Sequence, residues 1–259
     1  MKFGHKSSSP YLETIMNDFR TPALSAEMDL GLRNFMLGTY KYMMMAMALA
    51  AVVAYGFGNY VIKTPAGQLS GFGQLLIQPG TALLLTIGIM VAFGGVGTKL
   101  HSMSLQAVKV FLFSFAAVMG VWLSIIAGFV NPMISVKIFL MATSAFGAVS
   151  LFGYTTKKNL NAIAGFLIMV FVGFVVMKLL GMFFPSLALA GTAGFIFNLV
   201  GLVAICGITA WETQNLKRMY YGTVHDGELA EKVSVYGAAS LLLSFINIFS
   251  ILMSMFSDN

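Results

Sequence analysis

Long apolar runs alternate along this chain with short clusters of polar and basic residues. Seven runs stand out, at about 35–62, 81–98, 107–130, 134–154, 160–183, 187–211 and 233–256. Each holds the roughly 20 apolar residues that an α-helix needs to cross a hydrocarbon core about 30 Å thick. None alternates in the ~10-residue units of a membrane strand. The pattern predicts an all-α integral membrane protein, with seven transmembrane helices over 34–259 and an N-terminal tail over 1–33. The tail mixes charge, Ser and Pro without the apolar centre of a signal peptide. It reads as mostly disordered, with a short amphipathic turn near 12–19. Between the runs, 63–80 is a Gly-, Gln- and Pro-rich loop, Asn131-Pro132 closes the third run, and 215–232 reads as a polar loop of mixed charge.

Composition sharpens this picture. Of 259 residues, 58% are hydrophobic and 9% are charged, where a soluble domain carries about 25% charged residues. The net charge of +6 does not point to nucleic acid, because the basic residues are scattered and flank the apolar runs. Their sidedness gives an orientation. With the N-terminus inside, twelve of the fifteen Lys and Arg fall on the inner side; Lys63, Lys137 and Lys178 make up the three outside. Twelve against three favours a cytoplasmic N-terminus. Seven crossings then put the C-terminus outside, and a re-entrant last segment would return it inside. The expected location is a bacterial inner membrane.

Candidate chemistry is sparse. One cysteine, Cys206, cannot form an internal disulfide and reads as a packing residue in an apolar run. The three histidines show no metal-ligand spacing. No nucleophile–base pair or phosphate-binding glycine loop is visible, so the chain does not read as an enzyme and no cofactor is expected. Met43, Met44, Met45 and Met47 form a contiguous run that spreads around a helix, as adaptable packing does.

Glu212 is the exception. Between Gly31 and Phe256 the other acids, Asp226, Glu228 and Glu231, belong to the polar loop, which leaves Glu212 as the carboxylate that could lie inside the membrane. An ionisable group there is costly and marks a functional site by default. The residues alone leave two readings: a buried group, or a solvated interfacial carboxylate paired with Lys217 or Arg218. In the last run, Ser240, Ser244 and Asn247 share one stripe at helical spacing and face the same choice between lining a path and gluing helices together. Lys99, at the end of the second run, is either an anchor at the inner surface or a partner of the acid.

Four stretches, Phe113–Ser124 (FSFAAVMGVWLS), Ser150–Leu160 (SLFGYTTKKNL), Ala210–Tyr220 (AWETQNLKRMY) and Glu231–Phe249 (EKVSVYGAASLLLSFINIF), resemble the Bax inhibitor-1 family. The resemblance covers nearly all of residues 31–256. It implies a six-helix bundle around a central C-terminal helix and a proton-sensitive calcium leak. Two aspartates on the sixth and seventh helices share protons there, with a basic residue on the second helix as partner. Carried onto this chain, the sixth-helix acid falls on Glu212, the basic partner on Lys99 and the seventh-helix acid on Ser244. Serine for aspartate is a departure, since it removes half of the proton-sharing pair.

Two functions follow as expectations. One is a pH-sensitive passive leak for calcium or another cation. The other is a non-conducting regulator of a membrane partner such as a membrane protease, the description given to some bacterial relatives in the family. Topology is tested directly: a reporter fused after Lys158 or Arg218 is expected to read cytoplasmic and one fused after Gly67 external, and the opposite pattern reverses the orientation.

Overall fold

A computed structural model describes the backbone of residues 10–256 and the side chains of residues 28–256. Eight α-helices follow in order: α1 (Pro10–Tyr60), α2 (Gly71–Ile77), α3 (Pro79–Lys99), α4 (Leu105–Phe129), α5 (Pro132–Thr155), α6 (Asn161–Phe183), α7 (Gly191–Thr223) and α8 (Gly227–Phe256). All except α2 are long and apolar enough to cross a membrane. The described residues contain no strand; one isolated bridge pairs Lys63 with Leu69.

Local chemistry explains where the helices start. The first amides of a helix lack intrahelical partners and take acceptors from side chains. Ser104 Oγ accepts from the amide of Ala107 at 3.3 Å, opening α4. Asn131 Oδ1 accepts from the amide of Met133 at 2.9 Å, and Pro132 takes the first helical position, where its missing N–H costs nothing. Asp226 Oδ1 accepts from the amide of Leu229 at 2.9 Å and opens α8.

Three predicted polar segments are helical over much of their length, 63–80 over half of it. The loop expected at 215–232 shrinks to 224–226, because α7 runs on to Thr223 and α8 begins at Gly227. The reason is a buried stripe that outlasts the apolar run: Thr209, Thr213, Leu216 and Tyr220 keep helical spacing and face the core. The tail behaves similarly. Helix α1 starts at Pro10, and Leu32, Phe35 and Met36 are buried in the same cluster as the membrane core; residues 1–9 of the tail lie outside the described residues. The loop at 63–80 contains α2 and the start of α3.

Packing divides the helices into two sets. Helix α8 is the most buried and packs along α1, α4, α5 and α7. Its core face includes Val235, Ala238, Ala239, Leu241, Leu242 and Ile248, all fully enclosed. Helices α3 and α6 lie outside, with most of their surface uncovered. Single side chains join them to α8: the Tyr236 hydroxyl donates to the carbonyl of Phe93 in α3 at 3.2 Å, and Lys178 of α6 reaches Ser254 at 3.4 Å. In the methionine run, Met43 is buried, Met47 half-buried, and Met44 and Met45 exposed.

Small residues permit the closest crossings, as is common where helices pack within a bilayer. Gly120 of α4 lies against the carbonyl of Ala50 in α1, and Gly153 of α5 lies against the backbone of Ala210 in α7. A Cβ at Gly153 would overlap that backbone, which has no free side chain to move aside. Gly153→Val is therefore expected to destabilise the bundle by about 1–3 kcal/mol, read as a lower thermal midpoint in detergent. Gly147→Ala, one and a half turns earlier on α5, is the control, because a Cβ there meets nothing within 4 Å.

Candidate functional site

Glu212 sits on α7, half-buried, facing α8. Both carboxylate oxygens have a donor. Ser240 Oγ donates to Oε1 at 2.7 Å, and Ser244 Oγ donates to Oε2 at 2.6 Å. The two serines are four residues apart, so a single stripe of α8 presents both hydroxyls to one side chain. Tyr236, four residues before Ser240, extends the same stripe and carries it to α3.

Solvated pairing with nearby cations is not the arrangement here. Arg218 Nη2 donates to Asn161 Oδ1 at 2.7 Å, and Lys217 Nζ reaches the carbonyl of Tyr154 at 3.5 Å. Lys99 is exposed at the end of α3, and among the described residues no cation lies within ion-pair distance of Glu212. The structure thus brings Glu212 and Ser244 together, adds Ser240, and leaves Lys99 apart. Asn247 is half-buried one turn beyond Ser244 and makes no hydrogen bond to Glu212.

A second polar contact joins α7 to α8 farther along the same interface. Asn198 of α7 donates through Nδ2 to Ser254 of α8 at 3.2 Å, and Lys178 joins the same hydroxyl. The Oδ1 of Asn198 is buried without a partner. Ser240, Ser244, Asn247 and Ser254 follow heptad-like spacing on α8, while Asn198 and Glu212 are two heptads apart on α7. At 1.5 Å per residue, each file is about 21 Å long.

Around Glu212 lies a second set of polar contacts that the sequence reading did not assign. Tyr40 of α1 hydrogen-bonds Ser150 of α5 at 2.6 Å, and Ser150 hydrogen-bonds Thr213 of α7 at 3.0 Å. Thr39 meets Ser234 of α8 at 3.0 Å. Gln214 ties α7 to the α5–α6 turn, accepting from the amide of Leu160 at 2.9 Å and donating to the carbonyl of Lys158 at 2.8 Å. At the same end, Glu231 takes Lys109 at 2.8 Å and the Tyr42 hydroxyl at 2.7 Å, joining α8, α4 and α1. Thr213 and Gln214 adjoin Glu212 in one of the motif stretches, and that adjacency was the available signal. The pairing of Lys109 with Glu231 spans more than a hundred residues and leaves no mark in spacing.

Chemically, Glu212 offers a carboxylate that two hydroxyls hold in place and that no cation among the described residues neutralises. It can bind a proton or present oxygen to a hard cation, the ligand type that calcium takes. Removing its donors has a measurable cost. Hydrogen bonds between membrane helices average about 0.6 kcal/mol and reach about 1.7, so Ser240→Ala and Ser244→Ala should each lower stability by about that amount. In the Glu212→Gln background their effects should shrink, because the charge that strengthens both bonds is gone. Thermal midpoints of the two four-membered cycles, one for each serine, check this coupling.

Comparison with known proteins bears on the whole membrane domain. The profile of the family described as inhibitor of apoptosis-promoting Bax1 matches residues 32–259. An uncharacterized protein of Rickettsia prowazekii is 32% identical over 238 residues, covering 90% of this chain and 93% of its own. One from Caulobacter vibrioides is 30% identical over 259 residues, covering 94% and 99% respectively. Inner membrane protein YbhL of Escherichia coli is 28% identical over 232 residues, covering 88% and 93%.

Proposed function

Because the chain belongs to the Bax inhibitor-1 family, we propose that it forms a passive pathway for calcium or another cation, with Glu212 as the group whose titration makes it pH-sensitive. The observation that carries this reading is the carboxylate held between Ser240 and Ser244 with no cation beside it among the described residues. A charged group kept among apolar helices without a counter-ion has a destabilising effect that packing alone does not explain. The Asn198–Ser254 contact gives the α7–α8 interface a second polar position, fourteen residues from Glu212 along α7. By analogy with YbhL, the membrane is a bacterial inner membrane, and the basic end of the bundle faces the cytoplasm.

The pH response differs from that of a proton-sharing acid pair. Two carboxylates a few ångströms apart hold one proton between them and titrate in two coupled steps. Here Ser244 is neutral at every accessible pH, so Glu212 titrates alone: ionised it attracts a cation, protonated it does not. The second reading, a non-conducting regulator of a membrane partner such as a membrane protease, is favoured by that same serine, because the shared-proton latch is absent.

Calcium flux into dye-loaded liposomes, followed across pH, separates the two. A leak predicts flux that rises with protein dose, a single pH step in wild type and a flat profile in Glu212→Gln. Ser244→Asp should shift the midpoint and add a second step, provided the variant folds. Dose-independent calcium entry indistinguishable from empty vesicles removes the leak and leaves the regulator.

A further inference from the structure

Two cavities lie side by side where α1 faces α5, one of about 390 Å³ and one of about 700 Å³. Met47, Phe139 and Phe245 line both, so they form one cleft, with α8 as its floor through Leu242 and Phe245. Helices α1 and α5 do not pack closely enough to shut it; the Tyr40–Ser150 hydrogen bond is the polar tie across it. The two ends differ. Ala50, Ala54, Ile126 and Phe249 make the smaller cavity almost wholly apolar. The larger one opens at the basic end of the bundle, beside Arg33 and Tyr154. Lys217 adds a second cation there, its ammonium 5.5 Å from the centre of the Tyr154 ring.

We propose that this cleft holds one phospholipid of the surrounding bilayer, with its phosphate at Arg33 and an acyl chain running inward past Met47 and Phe139. Charge and shape select that occupant. Two cations at one mouth above an apolar slot match an anionic headgroup above a hydrocarbon tail. Arg33 and Met47 are fourteen residues apart on α1, about 21 Å, which matches a headgroup plus the ~15 Å of one hydrocarbon leaflet. A membrane helix is too large: at ~10 Å diameter and ~30 Å length it fills roughly 2,400 Å³, so it can lie over the cleft but not within it. The proposal is independent of whether the protein conducts.

The test is native mass spectrometry of protein released from vesicles of phosphatidylcholine with a minor fraction of phosphatidylglycerol. Wild type is expected to keep one phosphatidylglycerol. Gly147→Phe, which projects into the larger cavity from a position where a Cβ meets nothing, is expected to lose it. Gly165→Phe, at an equally open exposed position on α6, keeps it. Arg33→Gln should weaken the preference for the anionic lipid about fivefold, the effect of one basic residue at a membrane surface. A second measurement needs no variant. Wild type is irradiated with phosphatidylglycerol carrying a photoreactive acyl chain, and adducts on Met44 and Phe139 should be competed by excess phosphatidylglycerol and not by phosphatidylcholine. Wild type that retains no lipid, adducts that phosphatidylcholine competes equally, or a polypeptide displaced by Gly147→Phe in place of a lipid would each overturn the proposal.

Discussion

Hydrocarbon supplies no hydrogen bonds, so each polar side chain on a membrane helix must find a partner on another helix or reach the surface. Glu212 is where that constraint weighs most. Its two oxygens need two donors, and one stripe of α8 provides them with side chains one turn apart. The requirement fixes the rotation of α8 relative to α7. It also gives Tyr236 its direction toward α3, because the three residues share a face. Small residues then let the neighbouring backbones close around this pair, as at Gly153 and Ala210.

The same constraint shows why polar contacts gather at one end of the bundle. Tyr40, Ser150 and Thr213 form a chain across α1, α5 and α7, and Thr39 meets Ser234 between α1 and α8. Lys109, Glu231 and Tyr42 bind α4, α8 and α1 near the start of α8. These ties run between different helices, and through Thr213 the first of them adjoins Glu212. At the opposite end the polar side-chain contacts between long helices, among the described residues, are those of Asn198, Ser254 and Lys178.

The seven crossings were legible because the need for about 20 apolar residues is absolute and leaves a strong periodic mark. Glu212 was legible for the same reason, as a charge where charge is rare, and the spacing of Ser240 and Ser244 placed both on one stripe. The ends of helices were not. At α7 the apolar run stops near Trp211 while the helix continues, held by Leu216 and Tyr220 on a narrow buried stripe. Lys99 shows another limit. Its place at the end of a span matched a pattern, but α3 lies outside the core and leaves that side chain exposed.

Three residues, 224–226, join α7 to α8, and that brevity has a consequence for how the molecule assembles. The Glu212 contacts close loops of 28 and 32 residues, while the tie from Thr39 to Ser234 closes one of 195. Loop-closure entropy grows with separation and local pairings form first. The carboxylate and its two hydroxyls are therefore a hairpin property, organised as the last two helices meet and available as a nucleus on which α1, α4 and α5 condense. On that ordering the site is a seed of the fold, and damage to it would be felt in the yield of inserted protein before it is felt in activity.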